Sequence, residues 1–226
     1  MIQNLLPLLA PMLLGAQLLL TLILVKGDIC PGQRGRIHRV LPALGVLWLA
    51  VASLKIQAFL VVFAIFYFYS QVQTKKTRDQ GPLWVMYLAN GLALAYVVIE
   101  AFEQPHWPAT LSLLVDVLLL GALFSHLLLT IARTRLQAFH RILPVSGVVA
   151  AMLASLVVLL QAYQLNEASL QQSMAVIVFG LLLMISAVVV WGWHMFTAKP
   201  VNKWQLTISL MMLLLGQGAL IPVFVV

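Results

Sequence analysis

Residues 40–72 have the sequence VLPALGVLWLAVASLKIQAFLVVFAIFYFYSQV, an apolar stretch that is interrupted near its middle by Lys55 and Gln57. As a single α-helix this stretch would be about 50 Å long, because a helix rises about 1.5 Å per residue. The hydrocarbon core of a bilayer is about 30 Å thick, so this length is too great for one crossing and short for two. The stretch therefore predicts either one long helix or two short helices that meet at Lys55.

The composition of the whole chain is that of a membrane protein. Of its 226 residues, 63% are hydrophobic and 8% are charged, and the mean hydropathy is +1.04. Soluble domains have about 25% charged residues, so this chain has too few polar side chains to cover a water-soluble fold. Its apolar content also excludes intrinsic disorder. The sequence predicts an all-α integral membrane protein, because helices satisfy their own backbone hydrogen bonds inside a bilayer.

Eight apolar segments are candidates for membrane-spanning helices, if the stretch 40–72 contributes two. They lie at residues 4–25, 40–54, 57–72, 83–102, 109–132, 142–164, 173–196 and 205–226. The first segment has no positively charged region before it and no small-residue cleavage site. It is therefore predicted to be a retained helix rather than a signal peptide.

The basic residues favour eight helices with both termini outside. With this topology the cytoplasmic loops contain 12 of the 13 lysines and arginines, and Lys55 remains outside in a tight turn. Cytoplasmic loops are enriched in Lys and Arg. With seven helices, either the basic cluster at 75–78 or the other basic loops would lie outside the membrane. The net charge of +7 is thus a topology signal rather than an indication of nucleic-acid binding. The predicted location is the inner (plasma) membrane, with the lipid bilayer as partner.

An internal repeat is the most specific feature of the sequence. Residues 38–46, HRVLPALGV, are matched without a gap by residues 140–148, HRILPVSGV. Between 38–54 and 140–156, nine of 17 positions are identical, including aligned His, Arg, Pro, Gly and Ser residues. Composition alone would produce matches of Leu and Val but not of these residue types. Residues 27–32 form an insertion in the first loop that the second half lacks.

The repeat predicts two tandem four-helix halves, residues 1–104 and 105–226. Because four is an even number, both halves cross the membrane in the same direction. Their pseudo-twofold axis should then lie along the membrane normal, as in parallel transporter repeats. The interface between the halves is the expected place for a ligand, so the first functional prediction is a small-molecule or ion transporter or channel.

Four polar residues within the predicted spans are candidates for a ligand or ion path, namely Asp116, Gln17, Asn90 and Gln217. Asp116 is the only charged residue deep in a span, and intramembrane carboxylates usually face a partner or a water-filled cavity. The structural alternative is a protonated Asp116 bonded to a neighbouring helix. On that alternative the three amides only join helices to one another.

Histidines are concentrated toward the predicted cytoplasmic side. Such a cluster suits haem b, a metal ion or proton exchange, although the sequence contains no His-x-x-x-His or Glu-x-x-His pair. A structural alternative is that His38 and His140 open helices at the interface, with a proline in the first turn, and that His194 belongs to an aromatic belt. The neighbouring arginines then bind lipid phosphate. The residues concerned are His38, His126, His140, His194, Arg39 and Arg141.

The tandem four-helix plan resembles the haem A synthase type of membrane haem protein, because the pairs His38-Arg39 and His140-Arg141 open the second and the sixth of the eight predicted helices. The resemblance implies haem-ligating histidines at His38 and His140. The chain departs from that family in three ways. It is shorter, it has no histidine in the fourth and eighth predicted helices, and it places the two His-Arg pairs on the cytoplasmic side. The resemblance therefore concerns only the arrangement of the helices and does not assign the chain to that family.

Two alternatives accompany the transporter prediction. Short loops favour an accessory or assembly subunit of a larger membrane complex, or a homodimer, and the histidines favour a haem- or quinone-associated electron-transfer protein. The sequence contains no Gly-x-Ser-x-Gly, His-Glu-x-x-His or phosphate-loop motif, so it does not indicate an enzyme. Its single cysteine, Cys30, excludes an intrachain disulfide.

Overall fold

The computed structural model describes residues 2–27, 29–73, 81–134, 136–197 and 200–225, and these residues are helical apart from short connections. They form nine α-helices, and short 3₁₀ turns occupy Ile56–Ala58 and Ile221–Phe224. The α-helices are α1 (Ile2–Lys26), α2 (Pro31–His38), α3 (Leu41–Ala52), α4 (Phe59–Gln73), α5 (Leu83–Phe102), α6 (Trp107–Ile131), α7 (Gln137–Gln164), α8 (Glu167–Thr197) and α9 (Lys203–Leu220).

The stretch 40–72 forms two helices rather than one. α3 ends at Ala52, and a three-residue turn that ends at Lys55 precedes the 3₁₀ turn and α4. Lys55 forms an ion pair with Glu103 in the connection between α5 and α6. Seven helical segments of the described residues are long and apolar enough to span a membrane, and Ile56–Val72 is a shorter apolar helix. The prediction of a helical, multi-pass membrane protein is confirmed.

Successive membrane-crossing helices alternate in direction, so their connections lie at two ends of the bundle. One end, called the basic end, carries the described residues Lys26, Arg34, Arg36, Arg39, Arg133, Arg141 and Lys203. The other end, called the acidic end, carries Lys55, Glu100, Glu103 and Glu167. The remaining predicted cytoplasmic residues, Lys75, Lys76, Arg78, Arg135 and Lys199, lie outside the described residues.

α1 and α6 lie side by side at the centre of the bundle. Their backbones touch where Gly15 meets Gly121: a Cβ atom on Gly15 would clash with the carbonyl oxygen of Val117 and lie 2.8 Å from Gly121 Cα. A Cβ atom on Gly121 would lie 2.5 Å from Gly15 Cα. Residues 119–129 of α6 are buried on every side of the helix. Glycine is therefore required on both sides of this crossing.

The other helices surround α1 and α6 in the same order in each half. α1 packs against α3 and α5, and α6 packs against α7 and α9. In the first half α4 contacts both α3 and α5, and in the second half α8 contacts both α7 and α9. This order matches the predicted pair of four-helix halves, which remains a prediction.

The glycine shared by the two copies of the repeated sequence faces an aromatic ring in each half. A Cβ atom on Gly45 of α3 would lie 2.9 Å from the ring of Phe66 in α4. A Cβ atom on Gly147 of α7 would lie 2.5 Å from Cη2 of Trp191 in α8. Because glycine has no side chain, each position leaves a notch for the ring, and the second notch fixes the position of Trp191.

Three local predictions differ from the structure. His38 does not open a helix but ends α2, and a two-residue turn separates it from α3. Part of the predicted insertion at 27–32 belongs to α2, because Pro31 starts this helix, where the missing N–H of proline costs little. Pro144 lies well inside α7 rather than in its first turn, because the helix already begins at Gln137.

A test of the α1–α6 crossing compares two Gly→Ala substitutions. Gly15→Ala should destabilise the protein by about 1–3 kcal/mol, because the added methyl group must separate two touching backbones. Gly91→Ala is the matched control, since nothing lies within 4 Å of a Cβ atom at Gly91 and Ala is the better helix former. Thermal unfolding in detergent measures both variants. Equal unfolding temperatures would contradict the close contact.

Candidate functional site

Three histidines from three helices meet toward the basic end of the second half. His126 lies near the end of α6, His140 lies in the first turn of α7, and His194 lies in the last turn of α8. The ring centres of His126 and His140 are 5.1 Å apart, and those of His126 and His194 are 5.8 Å apart. Together with the fully buried Trp191, these residues are called the histidine cluster.

Hydrogen bonds assign the tautomers of two of the rings. The indole N–H of Trp191 donates to Nδ1 of His126 over 2.9 Å. Because an indole N–H only donates, Nδ1 of His126 is unprotonated and the ring proton lies on Nε2. This Nε2 donates to Nδ1 of His140, also over 2.9 Å. The bonds therefore run in one direction, from Trp191 through His126 to His140, and leave the proton of a neutral His140 on its Nε2.

Both ring nitrogens of His194 face hydrogen-bond acceptors. Nδ1 lies 2.9 Å from the carbonyl oxygen of Trp191, and Nε2 lies 3.0 Å from the carbonyl oxygen of His140. Carbonyl oxygens only accept, so both bonds form together only when both nitrogens carry a proton. A neutral ring would point a lone pair at one of the two oxygens. His194 is 8% exposed, so both of these contacts lie inside the protein.

The surroundings of His194 combine a helix dipole with other titratable and basic groups. The last turn of α8, where His194 lies, is the negative end of the helix dipole. The titratable groups that face it are His126 from α6 and His140 from α7. From α9 the neutral Gln205 reaches the same region, where its Nε2 donates to the carbonyl oxygen of Val190 over 2.6 Å. Among the described residues no carboxylate lies at this end, where Arg141 and Lys203 add positive charge.

A recess of about 540 Å³ opens at the basic end beside the histidine cluster. Its polar lining includes Thr130, Asn202, Lys203 and Gln205. Gln205 also donates to the carbonyl oxygen of Trp191 over 3.3 Å. This shared side chain joins the recess to the cluster, so water or a small polar solute in the recess lies next to the cluster.

The first half contains a buried polar cluster built from amides. Gln17 is 0% exposed; its Oε1 accepts from the indole N–H of Trp48 over 3.1 Å, and its Nε2 donates to Oδ1 of Asn90 over 2.9 Å. The hydroxyl of Thr21 donates to the carbonyl oxygen of Gln17 over 2.8 Å and lies 3.4 Å from the same Oδ1 of Asn90. The predicted path residues Gln17 and Asn90 therefore contact each other, in a network that joins α1, α3 and α5.

His38 lies outside the histidine cluster, although it is the repeat counterpart of His140. Its ring is buried against the edge of Phe68, with ring centres 5.5 Å apart. Nε2 of His38 and Nε of Arg34, one turn earlier on α2, are buried without a hydrogen-bond partner. Arg39 and Arg141, the predicted ligands of lipid phosphate, are exposed at the basic end.

Asp116 and Gln217 lie toward the acidic end, away from the histidines. Asp116 is 4% exposed, and its Oδ1 is buried without a hydrogen-bond partner. It lines a cavity of about 110 Å³. Gln217 does not line this cavity; its Nε2 donates to Sδ of Met184 over 3.8 Å. The four predicted path residues thus occupy three separate places rather than one.

The histidine cluster differs from a haem or metal site in its geometry. Bis-histidine haem ligation needs one imidazole on each face of the porphyrin, whereas His126 and His140 bond each other directly. Within the described ranges no group of three or more His, Cys, Asp or Glu side chains is arranged to hold a metal ion. The geometry favours proton exchange over ligation.

The comparisons with known proteins give the family of the chain. A family model described as an integral membrane domain matches residues 1–226. The chain belongs to this family. An uncharacterized protein of Haemophilus influenzae strain Rd is 28% identical over 163 residues, which are 64% of this chain and 58% of that protein. No solved structure matches. Family and helices together show a multi-pass protein embedded in a lipid bilayer.

A test of the hydrogen-bond chain uses two tryptophans of α8. Trp191→Phe should destabilise the protein by at least about 1–3 kcal/mol, because it leaves the buried Nδ1 of His126 without its donor and withdraws the outer indole ring from the Gly147 notch. Trp193→Phe is the matched control, since Trp193 is 57% exposed. Chemical unfolding in detergent measures both variants, and equal losses would contradict the assigned bond.

Proposed function

We propose that the protein is a small-molecule or ion transporter of the inner membrane and that its histidine cluster exchanges protons with the cytoplasm. Its two halves, 1–104 and 105–226, would be parallel repeats with both termini outside. The observation that carries the proposal is the ordered chain from Trp191 through His126 to His140, with His194 between two carbonyl oxygens. The excess of basic residues at this end supports a cytoplasmic location.

A proton gained or lost by His194 would change how two helices are held. A neutral ring makes only one of its two hydrogen bonds, so either the carbonyl oxygen of Trp191 would keep only the bond from Gln205, or that of His140 would lose its donor. The first oxygen belongs to the end of α8 and the second to the start of α7. An unpaired buried carbonyl is costly, so the protonation of His194 is coupled to the packing of these helices. Histidine switches in other proteins use the same kind of coupling.

The distribution of polar groups along α6 favours a transporter over an open channel. Asp116 and His126 lie ten residues apart on this helix, or about 15 Å along its axis. Between them, Gly121 packs directly on Gly15, so the helices leave no space for a continuous aqueous pore at this crossing. Two polar sites at different depths, separated by a closed contact, suit alternating exposure to the two sides of the membrane.

Proton movement in liposomes tests the proposal. The purified protein is reconstituted into phosphatidylethanolamine–phosphatidylglycerol vesicles with a pH-sensitive dye inside, and a gradient of NaCl or of KCl is imposed. At least one salt should change the internal pH faster than in protein-free vesicles. His194→Gln should slow this change about tenfold or more, since positioned proton-transfer groups commonly contribute that much to a rate.

The control is His106→Gln, the same substitution at an exposed histidine before α6. This variant should behave as the wild type, and size-exclusion profiles should show that all three proteins are folded. Identical traces for protein-containing and protein-free vesicles would contradict transport. Equal rates for His194→Gln and His106→Gln would contradict a role for the histidine cluster.

A further inference from the structure

We propose that the cavity beside Asp116 binds one alkali-metal cation. The cavity lies toward the acidic end of the bundle, between α1, α6 and the final 3₁₀ turn. The proposal deepens the transport function above, on which it rests, by naming the class of ion held at one of its sites.

The first observation is a buried carboxyl group that the protein leaves without a partner. Asp116 is 4% exposed, and its Oδ1 accepts no hydrogen bond although it is buried. Carboxyl groups inside membrane proteins normally face a partner or a cavity. Here the carboxyl group lines the cavity, and no basic side chain lines it with Asp116. A cation in the cavity would supply the missing partner.

The second observation is the set of oxygen atoms that surround the same cavity. Ser112 lines it one turn before Asp116 on α6. Gln104 lines it as well, and because its Nε2 donates to the carbonyl oxygen of Glu100 over 3.3 Å, its Oε1 is not used in that bond. Hydroxyl, amide and carboxylate oxygens are the ligands that hard cations prefer.

The two prolines of α1 add a backbone oxygen to this set. Pro7 and Pro11 both lie inside α1 and both line the cavity. A proline has no N–H, so residue 11 cannot donate the usual helix hydrogen bond to the carbonyl oxygen of Pro7. That oxygen therefore lacks its normal helical partner where α1 borders the cavity.

Size and charge define the class of ion. A cavity of about 110 Å³ accommodates a small ion with a few waters but is smaller than the pockets of about 300 Å³ or more that bind organic ligands. One carboxylate neutralises one positive charge. A divalent ion would leave an uncompensated charge in a poorly solvated place, which is strongly unfavourable. An alkali-metal cation satisfies both limits.

Thermal unfolding of the purified full-length protein in detergent tests the site. N-methyl-D-glucamine chloride, whose cation is too large for the cavity, is replaced by NaCl or KCl at constant ionic strength and pH. With at least one of the two salts the unfolding temperature of the wild type should rise and then saturate, because a ligand that binds only the folded state stabilises it.

The variants separate this site from general salt effects. Asp116→Asn, which keeps the size of the side chain, should abolish the saturable rise, and Ser112→Ala should weaken the apparent affinity about tenfold, or ~1.4 kcal/mol. Glu167→Gln, which removes an exposed carboxylate at the same end, should respond as the wild type. A wild type without a saturable rise in either salt, or an equal rise in Asp116→Asn, would overturn the proposal.

Failure of the site is distinguishable from failure of the transport function. Saturable binding that depends on Asp116, without salt-driven pH changes in liposomes, would support the cation site and contradict transport. Salt-driven pH changes without such binding would support transport and overturn the cation site.

Discussion

Two glycines, Gly15 and Gly121, allow the backbones of α1 and α6 to touch at the centre of the bundle. In a bilayer the surrounding lipid is as apolar as the helices, so close packing and small residues largely decide which helices associate. Once these two helices are fixed, α3, α4 and α5 pack around α1, and α7, α8 and α9 pack around α6 in the same order. The crossing also separates the polar groups near one membrane surface from those near the other.

The helices around α1 and those around α6 share a packing order but differ in their buried chemistry. In the first half, Gln17 and Asn90 form a closed network with Trp48, and such amide networks mainly join helices. In the second half, Trp191 donates to His126, and imidazoles replace the amides. Of these groups only the imidazoles change their charge near neutral pH, and the imidazoles that bond one another, His126 and His140, lie on α6 and α7. The repeated sequence around His38 and His140 therefore does not produce a symmetric pair of sites.

Periodicity and charge predicted the helices better than they predicted the contacts. The position of Lys55 in the stretch 40–72 was sufficient to suggest a turn, and the structure pairs this lysine with Glu103. The short helix α2 was missed, because its polar sequence resembles a loop and only Pro31 marks its start. The aromatic belt was the structural alternative for His194, and no pattern in the sequence singled out Trp191. The role of Trp191 depends on the notch at Gly147, a residue 44 positions earlier in the chain, and no local pattern reveals such a long-range contact.

The most direct test of the account is the protonation state of the ring nitrogens in the histidine cluster. Solid-state NMR of ¹⁵N-histidine-labelled protein in lipid bilayers at neutral pH reports each nitrogen, and His126→Gln identifies the signals of that residue. We predict that His126 carries a proton on Nε2 alone, because its Nδ1 accepts from the indole N–H of Trp191. A proton on Nδ1 of His126 in the folded protein would contradict the hydrogen-bond chain on which the histidine cluster is built.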